Sequence, residues 1–128
     1  MYTPLYTAFF ALLLIALSVQ TIRLRRRYQV AIGPGEDMEL QRAMRVQANF
    51  CEYMPIALIG LFFVESLWGS GWWIHLLGLS LLLARISHAW GVRQVREDFR
   101  FRVFGMATTF TVIACSALAI IAHYILQL

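Results

Sequence analysis

The sequence predicts an all-α integral membrane protein, a bundle of four transmembrane helices forming a single domain over residues 1–128. Of its 128 residues, 60% are hydrophobic and only 14% are charged, whereas soluble domains average about half apolar and a quarter charged. The apolar residues also fall into four segments, each close to the about 20 residues needed to cross a bilayer. This composition excludes a disordered chain, a disulfide-stapled secreted domain and a nucleic-acid-binding module.

The four predicted helices cover about residues 4–22, 38–67, 72–92 and 103–126. In the first, the basic residues follow the apolar stretch instead of preceding it, so it does not resemble a cleaved signal peptide. The second follows a Gly-Pro-Gly breaker at 33–35 and acidic residues at 36, 37 and 39, which favour the positive end of a helix dipole. A Gly-Ser-Gly turn separates it from the third helix, and an arginine-rich connection precedes the fourth. No room is left for a soluble domain.

The arginines predict the orientation in the membrane. All eleven basic residues are arginine, and four lie in each of the first and third predicted connections, while the second connection has none. By the positive-inside rule, the first and third connections face the cytoplasm and both termini face outward. Tyrosine and tryptophan residues at the predicted outer ends agree with an aromatic belt at the membrane surface.

The first half of the second helix carries a polar stripe. At about 100° per residue, Arg42, Arg45, Asn49 and Glu52 fall within an arc of about 80°. A carboxylate drawn into the membrane requires a partner, because an unpaired charge in hydrocarbon costs several kcal/mol. We therefore expect Glu52 to pair with Arg85 of the third helix.

Two interpretations of this stripe stay open. A buried pair between Glu52 and Arg85, together with Asn49, would simply join the helices. Alternatively, arginines near one cytoplasmic-side layer outnumber the single acid, so that a small anion completes the charge balance; these are Arg23, Arg45, Arg85 and Arg102. The guanidinium suits this role because it binds carboxylates in a bidentate manner and keeps its charge when poorly hydrated.

The histidine in the third predicted helix and the two cysteines give weaker indications of function. His88 lies on the same helix face as Arg85 at i+3, which also allows an ion or proton pathway, but the chain is short and no predicted helix is broken at its centre as in transporters. Cys51 and Cys115 lie in predicted spans without metal-ligand spacing. We expect both to be buried, apolar in character and not bound to a metal.

Three motifs resemble those of the MAPEG family, the membrane-associated proteins in eicosanoid and glutathione metabolism. They are the second-helix run Arg42-x-x-Arg45-x-Gln47-x-Asn49-x-x-Glu52-Tyr53-x-Pro55, the third-helix run Ala84-Arg85-x-x-His88-x-x-Gly91 and the fourth-helix run Arg102-x-x-Gly105-Met106. The likeness covers nearly the whole chain, and small bacterial members resemble it well. It implies a homotrimer in a bacterial cytoplasmic membrane, surrounded by lipid, with glutathione at each subunit interface near the cytoplasmic side.

Carried over residue by residue, the resemblance implies a set of glutathione ligands and one catalytic residue. The γ-glutamyl end would be held by Arg45, Asn49, Glu52 and Tyr53. The glycyl carboxylate would be held by Arg23 and Gln47, and Arg85 and His88 complete the implied set. Arg102 would stabilise the reactive thiolate, because a nearby guanidinium favours the ionised sulfur. Arg100 is the competing choice, since the preceding connection differs in length from that of family members.

The activity that the resemblance implies is a transferase or peroxidase that uses glutathione as co-substrate and needs no metal. Its second substrate would be a lipophilic small molecule, either an electrophile or a lipid hydroperoxide, arriving from the bilayer. The alternative is a non-catalytic scaffold that binds a lipid or fatty acid. His88 and Val92 favour that alternative, because some family members have glutathione-contacting tyrosines at these positions.

Overall fold

The computed structural model describes residues 1–94 and 96–128, which form four helices. They are α1 (Thr3–Tyr28), α2 (Met38–Trp68), α3 (Trp72–Arg93) and α4 (Phe99–Leu126). The predicted all-α class is confirmed. By length and composition, α1, α2 and α4 are apolar enough to cross a membrane. With 22 residues, α3 is about 33 Å long, which is enough to cross a hydrocarbon core of about 30 Å, but its histidines and arginines make it less apolar and it is not among these candidate spans.

The helices alternate in direction, as contacts at the two ends of the bundle show. At one end, the start of α1 meets the end of α2, where Glu65 accepts a hydrogen bond from the backbone N–H of Thr3 at 2.7 Å. At the other end, Arg42 near the start of α2 donates to the carbonyl of Val92 near the end of α3, at 3.0 Å. The helix α2 contacts each of the other three. The helix α3 does so as well, so a site between helices can draw on both.

Apolar side chains cover both the inside and the outside of the bundle. Phe10, Phe50 and Leu81 are buried in the core, whereas Phe9 and Leu83 are exposed. A soluble monomer rarely leaves so much apolar surface in water. The exposed apolar surface is consistent with lipid as the surrounding medium, and the protein is an integral membrane protein.

The helix α1 continues past its predicted end. It runs to Tyr28 and ends where Gln29 adopts a left-handed conformation (φ 55°). The backbone carbonyl of Arg25 accepts a hydrogen bond from the backbone N–H of Val30 at 3.0 Å. The prediction of an end near residue 22 is wrong because the end of an apolar stretch marks where the hydrocarbon stops. A helix continues into the interface as long as its terminal carbonyls find donors there.

The helix α4 also begins earlier than the prediction of residue 103. Asp98 caps it by accepting a hydrogen bond from the backbone N–H of Arg100 at 3.0 Å. Arg100 and Arg102 therefore lie in the first turn of α4 and not in the connection. The acidic start predicted for α2 is confirmed, since Asp37 accepts a hydrogen bond from the backbone N–H of Glu39 at 2.9 Å.

Glycine brings α3 and α4 into close contact. A Cβ atom added to Gly105 would lie 2.6 Å from the carbonyl oxygen of Ala84 and 2.6 Å from the Cβ of His88. A Cβ added to Gly91 would lie 2.7 Å from the Cβ of Phe101. Small residues at membrane helix interfaces permit such approach of the backbones. These two glycines therefore set the distance between α3 and α4 next to the candidate functional site.

A buried carboxylate that no sequence motif marks joins the other end of the bundle. Glu65 accepts hydrogen bonds from the backbone N–H groups of Tyr2 and Thr3 and from the hydroxyl of Ser70. Its side chain is fully enclosed. A helix N-terminus has unpaired N–H groups and a partial positive charge. The carboxylate from α2 accepts hydrogen bonds from these N–H groups and is attracted by the positive charge, which stabilises the start of α1.

Replacing Glu65 with glutamine is expected to lower the free energy of unfolding by about 1–3 kcal/mol, the range for losing a charged hydrogen-bond acceptor in a buried site. Glutamine keeps the shape but removes the charge. Thermal and denaturant unfolding in detergent micelles would measure the change. The matched control is Glu36→Gln at an exposed position, expected within about 0.5 kcal/mol of the parent protein. Equal stability of all three proteins would contradict the prediction.

Candidate functional site

A polar cavity of about 170 Å³ lies at the arginine-rich end of the bundle, between α2, α3 and α4. Its lining consists of Arg45, Asn49, Tyr53, His88, Val92, Arg102 and Met106. Each helix contributes residues spaced four apart, which places them on one face of that helix. The sequence spacing therefore produces this lining once the three faces converge.

Arg85 is buried behind the cavity, with only 1% of its surface exposed. Its Nη2 donates to Oδ1 of Asn49 at 2.7 Å, and its guanidinium lies 5.8 Å from the ring centroid of Phe50. Among the residues that the structure describes, no carboxylate forms an ion pair with it. A buried guanidinium that retains its charge makes the adjacent cavity electropositive.

The predicted pair between Glu52 and Arg85 is wrong. The Glu52 side chain is 49% exposed, and its nearest cation is Arg45 at 3.9 Å. Asn49 and Glu52 lie about 60° apart around α2, which is enough for Asn49 to face α3 while Glu52 lies on the exposed side. This excludes the interpretation in which a buried pair between Glu52 and Arg85 simply joins the helices.

Glu97, which belongs to none of the sequence motifs, is a second acid at this end. Its side chain is only 7% exposed and accepts a hydrogen bond from Nη1 of Arg42 at 2.9 Å. Its other oxygen lies 3.7 Å from Nη1 of Arg102. Arg42 is therefore held outside the cavity by Glu97 and by the carbonyl of Val92. The signal available in the sequence was an acid directly after Arg96, inside an arginine-rich connection.

Positive charge remains in excess around the cavity. Four guanidiniums lie at or next to it, from Arg42, Arg45, Arg85 and Arg102, against the two carboxylates of Glu52 and Glu97. In a poorly hydrated site such an imbalance acts more strongly than it would in water. The arrangement suits an anionic group better than a cation or a neutral molecule.

His88 and Tyr53 provide the neutral polar groups of the lining. His88 is 2% exposed, and within the described parts of the chain its Nδ1 has no hydrogen-bond partner. Buried polar atoms nearly always have one, and this nitrogen is enclosed by protein, not open to the cavity. The ring of Tyr53 packs edge-on against Phe110 at 5.3 Å between centroids.

The two candidate arginines on α4 differ in position. Arg102 lines the cavity, and its side chain is about half exposed. Arg100 is exposed and is not part of the lining. They are separated by about 160° around the helix. The geometry therefore favours Arg102 as the guanidinium that a molecule in the cavity would contact.

Two of the expected ligands lie on another face of the protomer. Nε2 of Gln47 donates to Oγ of Ser18 on α1 at 3.0 Å, and Arg23 is an exposed residue of α1. The cavity lining comes from α2, α3 and α4. A single protomer thus does not bring Arg23 and Gln47 together with Arg45 and Arg102.

The cysteines do not form a site. Cys51 and Cys115 are both exposed on the bundle surface, so the prediction that they are buried is wrong. Their helices turn these small side chains toward the surrounding medium, and an apolar thiol is compatible with lipid there. Within residues 1–94 and 96–128, no group of three or more histidine, cysteine or acidic side chains is placed to hold a metal ion.

Together, the antiparallel helices and the electropositive cavity define an integral membrane bundle with a polar site at one end. The family model described as "MAPEG family" matches residues 3–122, and the chain belongs to that family.

Curated relatives agree with this assignment. The chain is 38% identical over 119 residues to "Inner membrane protein YecN" of Escherichia coli strain K12, covering 93% of this chain and 89% of the relative. It is 29% identical over 118 residues to "Leukotriene C4 synthase" of Cavia porcellus, covering 84% and 73% respectively. The leukotriene C4 synthase of Bos taurus is similar at the same identity.

Proposed function

We propose that the protein is a glutathione-dependent membrane transferase or peroxidase acting on lipophilic electrophiles or lipid hydroperoxides. The observation that carries the proposal is the cavity with excess positive charge, whose lining includes residues from each of the three motifs that resemble the family. Glutathione is an anionic tripeptide whose carboxylates match guanidinium donors. A relative named as a leukotriene C4 synthase supports the same class of chemistry. The relative named as an inner membrane protein supports a bacterial inner-membrane location.

In this proposal the cavity binds the γ-glutamyl end and the sulfur. Arg45, Asn49 and Tyr53 offer hydrogen-bond donors to the α-carboxylate, and Glu52 at the rim accepts from the α-ammonium group. His88 takes the place of a family tyrosine, because its side chain belongs to the same lining. Arg85 is not part of the lining but influences the cavity through its hydrogen bond to Asn49.

The size of the cavity supports binding between subunits. Ligand pockets typically enclose about 300–1,000 Å³, so a cavity of about 170 Å³ holds only part of a tripeptide. The glycyl carboxylate would be bound by Arg23 and Gln47 from the α1 face of a neighbouring copy. Both sets of residues would then contact one ligand, as the homotrimer implied by the family resemblance requires.

The chemistry would begin with loss of the thiol proton. A free thiol has a pKa near 8.5, and the guanidinium of Arg102 lowers the free energy of the thiolate relative to the thiol. In conjugation, the thiolate would attack an electrophilic carbon, so that a sulfur–carbon bond forms while the leaving group, such as the chloride of chlorodinitrobenzene, departs with its electron pair. In peroxide reduction, it would attack a peroxide oxygen, so that the oxygen–oxygen bond breaks to give glutathione sulfenic acid and an alkoxide that takes up the released proton as an alcohol. A second glutathione would then reduce the sulfenic acid, which gives glutathione disulfide and water. The second substrate reaches the sulfur from the lipid along the subunit interface.

A second candidate function is a non-catalytic membrane protein that binds a lipid or fatty acid. It is favoured by Val92, an apolar side chain that lines the cavity where some family members carry a tyrosine. The cavity would then hold the carboxylate of a fatty acid, with its chain lying in the bilayer.

Calorimetric titration of the purified protein in detergent, followed by turnover assays, separates the two functions. We expect glutathione to bind with a dissociation constant between about 1 μM and 1 mM, the usual range of substrate affinities, and chlorodinitrobenzene or a lipid hydroperoxide to be consumed. Glutathione binding without turnover of either substrate would contradict the proposed catalytic activity but leave the proposed glutathione site standing. No response to millimolar glutathione, together with thermal stabilisation by a fatty acid, would favour the scaffold.

A further inference from the structure

We infer that Arg85 is a positioning residue that fixes the side-chain amide of Asn49 so that the cavity presents hydrogen-bond donors and selects a carboxylate. This inference rests on the proposed function, because it names the part of glutathione that the lining recognises. It also changes the expected role of Arg85 from a direct ligand to a residue that acts through another.

The orientation of the amide follows from the chemistry of its partner. A guanidinium has five donors and no acceptor, so the Asn49 atom 2.7 Å from Nη2 of Arg85 is the oxygen. With Oδ1 held by Arg85, the NH₂ group is the part of the amide left for the cavity, which Asn49 lines. Without Arg85, the amide would be free to turn either end toward a ligand.

Burial and the absence of an acid make Arg85 suited to this task. The side chain is 1% exposed, and its second terminal nitrogen lies 3.9 Å from the sulfur of Met106, another residue of the lining. In the described residues no carboxylate neutralises it, so its full positive charge acts on the neighbouring cavity. An arginine present only to join helices would be better satisfied by a carboxylate, which would cancel that field.

The resulting lining is dominated by donors. Arg45 has no acceptor atoms, and the oriented amide of Asn49, one helical turn further along α2, adds a second donor to the lining. A carboxylate satisfies such groups, whereas an ammonium, a hydroxyl or an amide N–H leaves them unpaired. The α-carboxylate of the γ-glutamyl group is the part of glutathione that fits.

The test compares two ligands on two variants by calorimetry in detergent. The ligands are glutathione and 4-aminobutanoyl-cysteinyl-glycine, which is glutathione without its α-carboxylate. The parent protein is expected to bind glutathione about tenfold tighter than the second peptide, the usual effect of losing one charge-assisted contact. Asn49→Asp keeps the side-chain shape and a partner for Arg85, but turns an acceptor toward the ligand. We expect it to keep its melting temperature and to lose the discrimination.

The second variant is Arg85→Met, which removes a charge from the bundle interior and leaves the Asn49 amide free to turn. It is expected to fold and to reduce the tenfold discrimination to about twofold or less. Arg85→Lys keeps a donor and a charge, and is expected to recover part of the discrimination. A role limited to joining the helices would change the melting temperature of these variants and leave the ratio of the two affinities unchanged.

The outcomes separate this inference from the proposed function. If the parent protein binds neither peptide, the proposed function fails and the inference fails with it. If the parent discriminates between the peptides, and the folded Asn49→Asp and Arg85→Met variants do so equally well, the inference is overturned while the proposed function stands. If Asn49→Asp does not fold, the ratio measured for Arg85→Met alone decides.

Discussion

Replacing Arg102 with alanine is expected to lower the rate of glutathione conjugation by about 10²–10³-fold, the usual effect of removing one preorganised donor to a developing or bound anion. Arg102 is the α4 guanidinium that lines the cavity. The loss should appear in the turnover number with chlorodinitrobenzene at saturating glutathione. Glutathione affinity should change less, because the γ-glutamyl contacts remain.

The matched control for this prediction is Arg100→Ala. Both arginines lie in the first turn of α4 and outside the hydrocarbon-spanning part, but Arg100 is exposed and is not part of the lining. We expect its removal to leave the turnover number within about twofold of the parent, as for surface substitutions away from a site. The reverse ranking of the two variants would assign the thiolate contact to Arg100, and equal rates for all three proteins would contradict the role of either arginine.

Gly105→Ala is expected to lower the free energy of unfolding by about 1–3 kcal/mol, the usual cost of overpacking, and to abolish glutathione binding. Helix propensity alone predicts the opposite sign, since alanine stabilises a helix by about 1 kcal/mol relative to glycine. The added methyl would lie 2.6 Å from both the Ala84 carbonyl oxygen and the His88 Cβ, so α4 must move away from α3. His88 and Met106 then separate across the cavity. Thermal unfolding in detergent and a glutathione titration measure the two effects.

Gly60→Ala provides the comparison within the same fold. Its added Cβ would lie 3.1 Å from the Cβ of Ser116, a tight contact that a shift of a few tenths of an ångström relieves. We expect a smaller change in stability and unchanged glutathione affinity, because neither residue borders the cavity. If Gly105→Ala is as stable as Gly60→Ala and binds glutathione like the parent protein, close packing of α3 on α4 does not control the site.

The helices themselves could be predicted because their determinants are local. Apolar segments of spanning length and the breakers between them identified four helices, and all four are present. The errors lie at the ends near the membrane surface, where α1 continues to Tyr28 and α4 begins at Phe99. Hydropathy changes at that surface, whereas the helix continues until a capping group or a left-handed residue ends it.

The site was predicted in part. Arg45, Asn49, Tyr53, His88 and Arg102 came from motif spacing, and the structure places them around one cavity. The partner assigned to Arg85 was wrong, because a stripe of polar residues shows which helix face is polar but not which neighbour each residue meets. Glu97 and Glu65 were missed for a related reason. Their contacts join residues 55 and 62 positions apart, and no local pattern encodes such pairs.

The sequence by itself determined the membrane environment, the number of helices, the family and the arginine-rich end, because each depends on composition or on spacing along one helix. Only the tertiary structure decided which carboxylates meet which guanidiniums, and that among the described residues Arg85 pairs with Asn49 and with no acid. The physical reason is angular: a difference of about 60° around α2 separates a buried amide from an exposed carboxylate. The packing of α3 and α4 against α2 decides which of these two side chains is buried.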